Sequence, residues 1–157
     1  MHPNTAAVTR AAAGRGLGID VREFPDTTRT ADDAARAIGV SVGQIVKSLV
    51  FVVGDHPVLA LVSGANRLDE RRLAALVGAD RRAERADADN VRAATGYPIG
   101  GVPPFGHATE LRTFVDEDLL GHDILWAAAG TPRHNFAIAP VDLVRVTGGT
   151  VARLRKE

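Results

Sequence analysis

Leu49–Val53 (LVFVV), the turn Gly54-Asp55-His56-Pro57, and Val58–Ser63 (VLALVS) decide the fold class. Two apolar runs rich in β-branched residues flank a four-residue turn, which is the pattern of a β-hairpin. A tight turn joins only antiparallel neighbours, so the sheet that holds these strands is not all parallel. Outward from the hairpin, helix and strand signals alternate. Asn4 or Thr5 caps a first helix that stops near Leu17, between Gly16 and Gly18. Ile19–Phe24 alternates like a half-buried strand and ends at Pro25. Thr30-Ala31-Asp32-Asp33 reads as a capping box, with Asp in the place of Glu, for a helix that ends at Gly39; Ser41 opens a short turn.

Beyond the hairpin, Leu68–Val77 reads as a helix closed by Gly78, and Asp87 caps another that ends at Gly96. Tyr97–Gly106 is too rich in Gly and Pro for a regular element. Leu111–Val115, Ile124–Ala128, Phe136–Ala139 and Val151–Leu154 read as strands, and Pro140 opens a helix to Val146. About seven strands and five helices follow. The expectation is one α+β (α/β) domain spanning residues 1–157, with a mixed sheet curled towards a barrel.

Composition bounds the function. The chain has 157 residues, no Cys and a formal net charge of zero. Zero net charge speaks against general DNA coating, and the lack of thiols removes a disulfide framework and a Cys nucleophile. No apolar run approaches the roughly 20 residues of a membrane span, and no apolar leader opens the chain, so a cytoplasmic location is expected. Only Lys47 and Lys156 among the 19 cations are lysines. A lysine kept in so arginine-rich a chain calls for a reason.

Four places offer chemistry. Lys47 sits at the entry of the most apolar strand. It is either a strand-end cation that snorkels to water or a cation at a pocket rim that binds phosphate or a developing oxyanion. Thr95–Gly106 (TGYPIGGVPPFG) is either a plain turn or a stiff loop whose glycine N–H groups approach a ligand. Ala129–Asn135 (AGTPRHN) is a hairpin that can hold His134 or Asn135 over a pocket. Arg67, Arg71, Arg72, Arg81, Arg82 and Arg85 are either RNA contacts or one side of a solvated helix, because Asp69, Glu70, Asp80 and Glu84 interleave with them. Dinucleotide-fold, phosphate-loop, zinc-protease and serine-elbow motifs are all missing, and five scattered histidines give no metal-ligand spacing.

Taken together, Ile45–Phe51 (IVKSLVF), the loop Thr95–Gly106 and the helix Leu68–Ala79 resemble the YbaK/ProX aminoacyl-tRNA deacylases. Asp116, Ala129-Gly130 and Asp142-Leu143 with Thr147 fit the same pattern, in order, over nearly the whole chain. The resemblance implies a strongly curved, partly open barrel-like sheet of six to seven strands flanked by helices. It implies trans hydrolysis of the ester on a mischarged tRNA, without metal or cofactor, with tRNA as partner and an aminoacyl-tRNA synthetase as a further one. It places catalysis at Lys47, Gly100 and Gly101. Substrate contacts are expected at Phe24, Ser63, Tyr97, Pro103, Pro104, Phe105, Gly106, Gly130, His134 and Asn135. Phe24 and Asn135 replace the Tyr and Asp of the cysteine-specific branch, and Gly100-Gly101 stand where the alanine-specific branch carries a histidine-bearing loop. Small polar amino acids such as Ser or Thr are therefore the expected leaving residues. A non-catalytic tRNA- or synthetase-binding module, and a hydrolase of free small esters or amides, are the alternatives.

Overall fold

The computed structural model describes residues 1–157. In chain order the elements are α1 (Pro3–Gly14), β1 (Val21–Glu23), α2 (Ala31–Ile38), β2 (Val46–Val53), β3 (His56–Ser63), α3 (Glu70–Val77), β4 (Glu84–Arg85), α4 (Ala88–Thr95), β5 (Arg112–Asp116), β6 (Leu125–Ala128), β7 (His134–Ile138), α5 (Pro140–Thr147) and β8 (Thr150–Ala152). Short 3-10 turns lie at Val42–Gln44 and Glu117–Gly121. The caps act as their residue types dictate. The Thr30 hydroxyl accepts the Asp33 N–H at 3.1 Å, and the Asp69 carboxylate accepts the Arg71 and Arg72 N–H groups.

The hairpin is the spine. β2 and β3 pair antiparallel from Val46–Ser63 to Val53–His56. β3 then pairs in parallel with β5, and β5 in parallel with β8. The larger sheet therefore runs β4-β2-β3-β5-β8, and a smaller one runs β1-β7-β6. The expected single, strongly curved sheet closing towards a barrel is not what forms. The two sheets touch through one parallel bridge, Ile45 to Trp126, and beyond it a cavity takes the place of a ladder. There are eight strands. The extra one, β4, is two exposed charged residues long and leaves no apolar signature in the sequence.

Strand alternation distributes the core. Val46, Val50, Leu59 and Leu61 face a main cluster that includes Val8, Phe105, Val115, Leu125, Phe136 and Leu143. Phe51, Val53, Val58, Ala60 and Val62 face a second cluster with Leu73, Phe114 and Leu154. β3 is covered on both faces, which is why Val58–Val62 is apolar throughout. No helix is long and apolar enough to cross a membrane.

Candidate active site at a strand fork

β2 is covered at both ends of one edge and bare in between. At its start, Ile45 bridges Trp126 of β6. At its far end, Phe51 and Val52 pair with Arg85 and Glu84 of β4. The Gly64 N–H donates to the Ile45 carbonyl at 2.7 Å, which fixes the phase of the β2–β3 ladder. Antiparallel alternation then turns the main-chain groups of Lys47 and Leu49 towards β3, and those of Ser48 and Val50 towards the other edge. The Ala86 N–H, donating to the Val50 carbonyl at 3.0 Å, reports the same phase from that edge. On β6, the Ala129 N–H donates to the His134 carbonyl at 2.9 Å, so Ala128 turns its main chain away from β7 and towards β2. Ser48 and Ala128 thus face each other across a fork where the ladder has stopped.

A cavity of about 330 Å³ fills this fork. Its size is at the small end of ligand pockets. Ala31, Ala34, Val50, Val91, Ile99 and Val102 supply apolar walls; Arg29, Lys47 and Arg85 are its cations. No Asp, Glu, His or Cys lines it. Side-chain alternation sets Lys47, Leu49 and Arg85 on one face of β2 and Ser48 with Val50 on the other, so the cavity reaches around the strand edge.

Lys47 is half-buried, and its ammonium donates to the carbonyl of Asn66. Asn66 is itself held: its amide donates to Asp116 at 2.9 Å and to Asp118 at 2.8 Å. Burial holds the Lys47 pKa below the ordinary lysine range; the charges of Arg85 and Arg67 add to this, and Asp116 and Asp32 oppose it. An ammonium with few counter-charges and a lowered proton affinity is suited to an incoming anion.

Gly100 lines the cavity at a φ of +88°, and no protein group accepts its N–H. A side chain there would press on Arg29. Gly101 acts differently. Its N–H donates to the Pro98 carbonyl at 2.9 Å, so it is not offered to a ligand. Its Cα lies where a Cβ would come within 2.8 Å of the Thr131 backbone, and its carbonyl accepts the Gly130 N–H. Gly101 thus locks two loops together. Asn135, 3% exposed, reaches the cavity and donates to the Thr28 hydroxyl at 2.6 Å.

The structure places the other expected contacts outside the cavity, each for a packing reason. Tyr97 and Phe105 belong to the main core, with Phe105 tilted on Phe136 at 5.8 Å. Pro103 and Pro104 are buried beside them, and Gly106 abuts Ala11 of α1. Ser63 is 2% exposed; its hydroxyl donates to the Gly43 carbonyl and its N–H to Asp116. Phe24 packs with the small cluster around Trp126. Gly130 lies against Asn4, which donates to its carbonyl at 2.8 Å. His134 pairs with the Thr131 hydroxyl and lies 3.5 Å from Glu23. Conversely, Arg29, Thr28 and Ser48 line the cavity without standing out as site residues in the sequence, where Arg85 is either an RNA contact or part of a solvated face. β2–β4 register, which brings Arg85 beside the lysine strand, is the signal that finds it.

The aminoacyl-tRNA editing domain model matches residues 25–146. A crystal structure described as a candidate trans-editing enzyme for prolyl tRNA synthetase superposes with a TM-score of 0.93 at 48% identity, covering 100% of this chain and 99% of that one. The proline–tRNA ligase of Nitratidesulfovibrio vulgaris is 35% identical over 141 residues, 89% of this chain; the chain spans only 24% of that ligase. The candidate Cys-tRNA(Pro)/Cys-tRNA(Cys) deacylase EbsC of Enterococcus faecalis is 29% identical over 126 residues, 80% of this chain and 76% of EbsC. The fork, its lysine and its glycine loop therefore sit in a chain that belongs to the aminoacyl-tRNA editing domain family.

Proposed function

We propose that the fork cavity hydrolyses the ester joining a small, wrongly attached amino acid to the 3′-terminal ribose of tRNA, and that the chain does so in trans. The observation that carries this reading is the cavity lining. It combines three cations and an unpaired Gly100 N–H with no carboxylate, imidazole or thiol. Such a site offers no carboxylate, imidazole or thiolate as nucleophile or general base, and its lysine serves here as a cation. It suits a reaction in which an activated ester and a water need only to be held in line and the developing oxyanion stabilised.

In this reading the ammonium of Lys47 leaves the Asn66 carbonyl for the terminal phosphate or ribose of the tRNA. Arg85 and Arg29 add positive field at the same place, where a polyanion brings its 3′ end. The Gly100 N–H orients the aminoacyl carbonyl. A hydroxyl or the amine of the substrate moves the proton. The apolar walls made by Ala31, Ala34, Val91 and Val102 favour a small side chain. Residues 1–24 and 147–157, outside the matched range, act as part of the same unit, because Val8 and Leu154 are fully buried in its cores.

A panel of tRNAs mischarged with Ala, Ser, Thr or Cys tests the proposal. Release of one small amino acid at catalytic protein concentration is the expected result. Tight tRNA binding with no release would favour a non-catalytic module, and tRNA-independent cleavage of small esters would favour a general esterase.

A further inference from the structure

The polar groups in the wall of the cavity ask for a particular partner. The Ser48 hydroxyl is buried with no hydrogen-bond partner in the protein. Beside it, the main-chain N–H and C=O of Ser48 point to the bare edge of β2, and those of Ala128 face them from β6. Neither pair belongs to a ladder. A lone buried hydroxyl, flanked along the same face of β2 by Val46 and Val50, costs stability unless something meets it. The Thr28–Asn135 pair on the neighbouring wall is, by contrast, already joined. Ser48 therefore concentrates acceptors: its hydroxyl oxygen, its carbonyl and, across the fork, the Ala128 carbonyl. Lys47 does not compete for them, because its side chain leaves on the opposite face of β2. A group with several N–H donors and little bulk fits such a set, and the α-amino group of an aminoacyl ester is one.

We propose that Ser48 and the ladder-free edges of β2 and β6 recognise the free α-amino group of the aminoacyl ester, so that N-blocked esters, peptidyl-tRNA included, are refused. This rests on the reading of the cavity as an aminoacyl-ester site. An acylated nitrogen keeps one N–H instead of two or three and adds a bulky carbonyl where the strands converge on the Ile45–Trp126 bridge. Ser48 is a specificity-determining residue in this scheme, and the chemistry at the ester is left to Gly100 and Lys47.

The test separates recognition from hydrolysis. An adenosine carrying serine on a 3′ amide, which ester hydrolysis cannot cleave, is compared with its N-acetyl form by calorimetry. The free-amine analogue binds about 10- to 100-fold tighter, the worth of hydrogen bonds to a charged or strongly polar group. Ser48→Ala cuts that preference by about 10-fold, and Ser48→Thr keeps it. Ser48→Ala melts at the wild-type temperature or above, since no internal hydrogen bond is lost, so a binding defect is not a folding defect. Equal binding of the two analogues, binding of neither, or an unchanged preference in Ser48→Ala overturns the proposal. Hydrolysis of free-amine and N-acetylated seryl-tRNA by the wild type is read in parallel. Amine preference in binding without hydrolysis of either would remove the deacylase reading and leave amine recognition standing.

Discussion

Replacing Asp116 by Ala removes the group that fixes Asn66, and through it the resting place of Lys47. Asp116 is fully buried, and its carboxylate accepts three hydrogen bonds: from the Ser63 N–H at 3.0 Å, the Asn66 amide at 2.9 Å and the Asp118 N–H at 3.0 Å. The Ser63 N–H is buried and finds no other acceptor, at a cost of about 1–3 kcal/mol. Asn66 and Asp118 are only partly buried, so they recover much of their loss in water and add about 1 kcal/mol each. The total is about 3–5 kcal/mol. For a domain of this size each kcal/mol moves the melting temperature by about 2–4 °C, so thermal denaturation followed by circular dichroism falls by roughly 6–20 °C. Asp116→Asn keeps the shape but removes the negative charge that raises the Lys47 proton affinity. In that variant the alkaline limb of kcat/KM moves to lower pH. An Asp116→Ala protein melting within about 2 °C of wild type, or an Asp116→Asn limb that does not move in an enzyme dependent on Lys47, refutes the reasoning.

Three further outcomes follow from the same geometry. Because burial lowers the Lys47 pKa, activity that needs the ammonium declines as pH rises through a value below the ordinary lysine range; Lys47→Arg moves that limb upward in a pH–rate profile. The same shift has a stability sign: between the folded and the unfolded pKa of Lys47 the unfolded chain binds more protons, so unfolding free energy rises with pH across that window, and urea titrations show the rise fading in Lys47→Met. Gly101→Ala drives a methyl into the Thr131 backbone and costs about 1–3 kcal/mol, read as a lower urea midpoint, whereas Ala at position 100 meets the flexible Arg29 side chain and a positive φ and lowers kcat/KM as well.

Much of the fold was legible because local chemistry and tertiary packing agree. The Thr30 and Asp87 caps and the stops at Gly39, Gly78 and Gly96 lie where their residue types require, and the hairpin turn falls within the expected stretch but is only Gly54-Asp55, because His56 and Pro57 already pair with Val53 and Val52. β4 was not legible, since two exposed charged residues acquire strand geometry only from pairing with Phe51 and Val52. The division into two sheets was not legible either: nothing in Ile45–Phe51 announces that β6 leaves the β2 edge after one bridge. The glycine–proline loop shows the limit for the site. Its composition marks it as stiff, but only Ile99, Gly100 and Val102 touch the cavity, while Tyr97 and Phe105 anchor it in the core. A sequence shows that a loop is rigid, not which of its faces is rigid for packing and which for a ligand. Ser48 carries no site signal in the sequence for a related reason: a small polar residue in an apolar strand gains meaning only from the bare edge beside it.

Single-turnover deacylation of the preferred mischarged tRNA by wild type and by Lys47→Ala tests the central claim most directly. The account predicts a loss of about 100-fold or more in the rate, the scale on which a group facing developing charge contributes, with the circular dichroism spectrum unchanged. Hydrolysis by Lys47→Ala at the wild-type rate would contradict it.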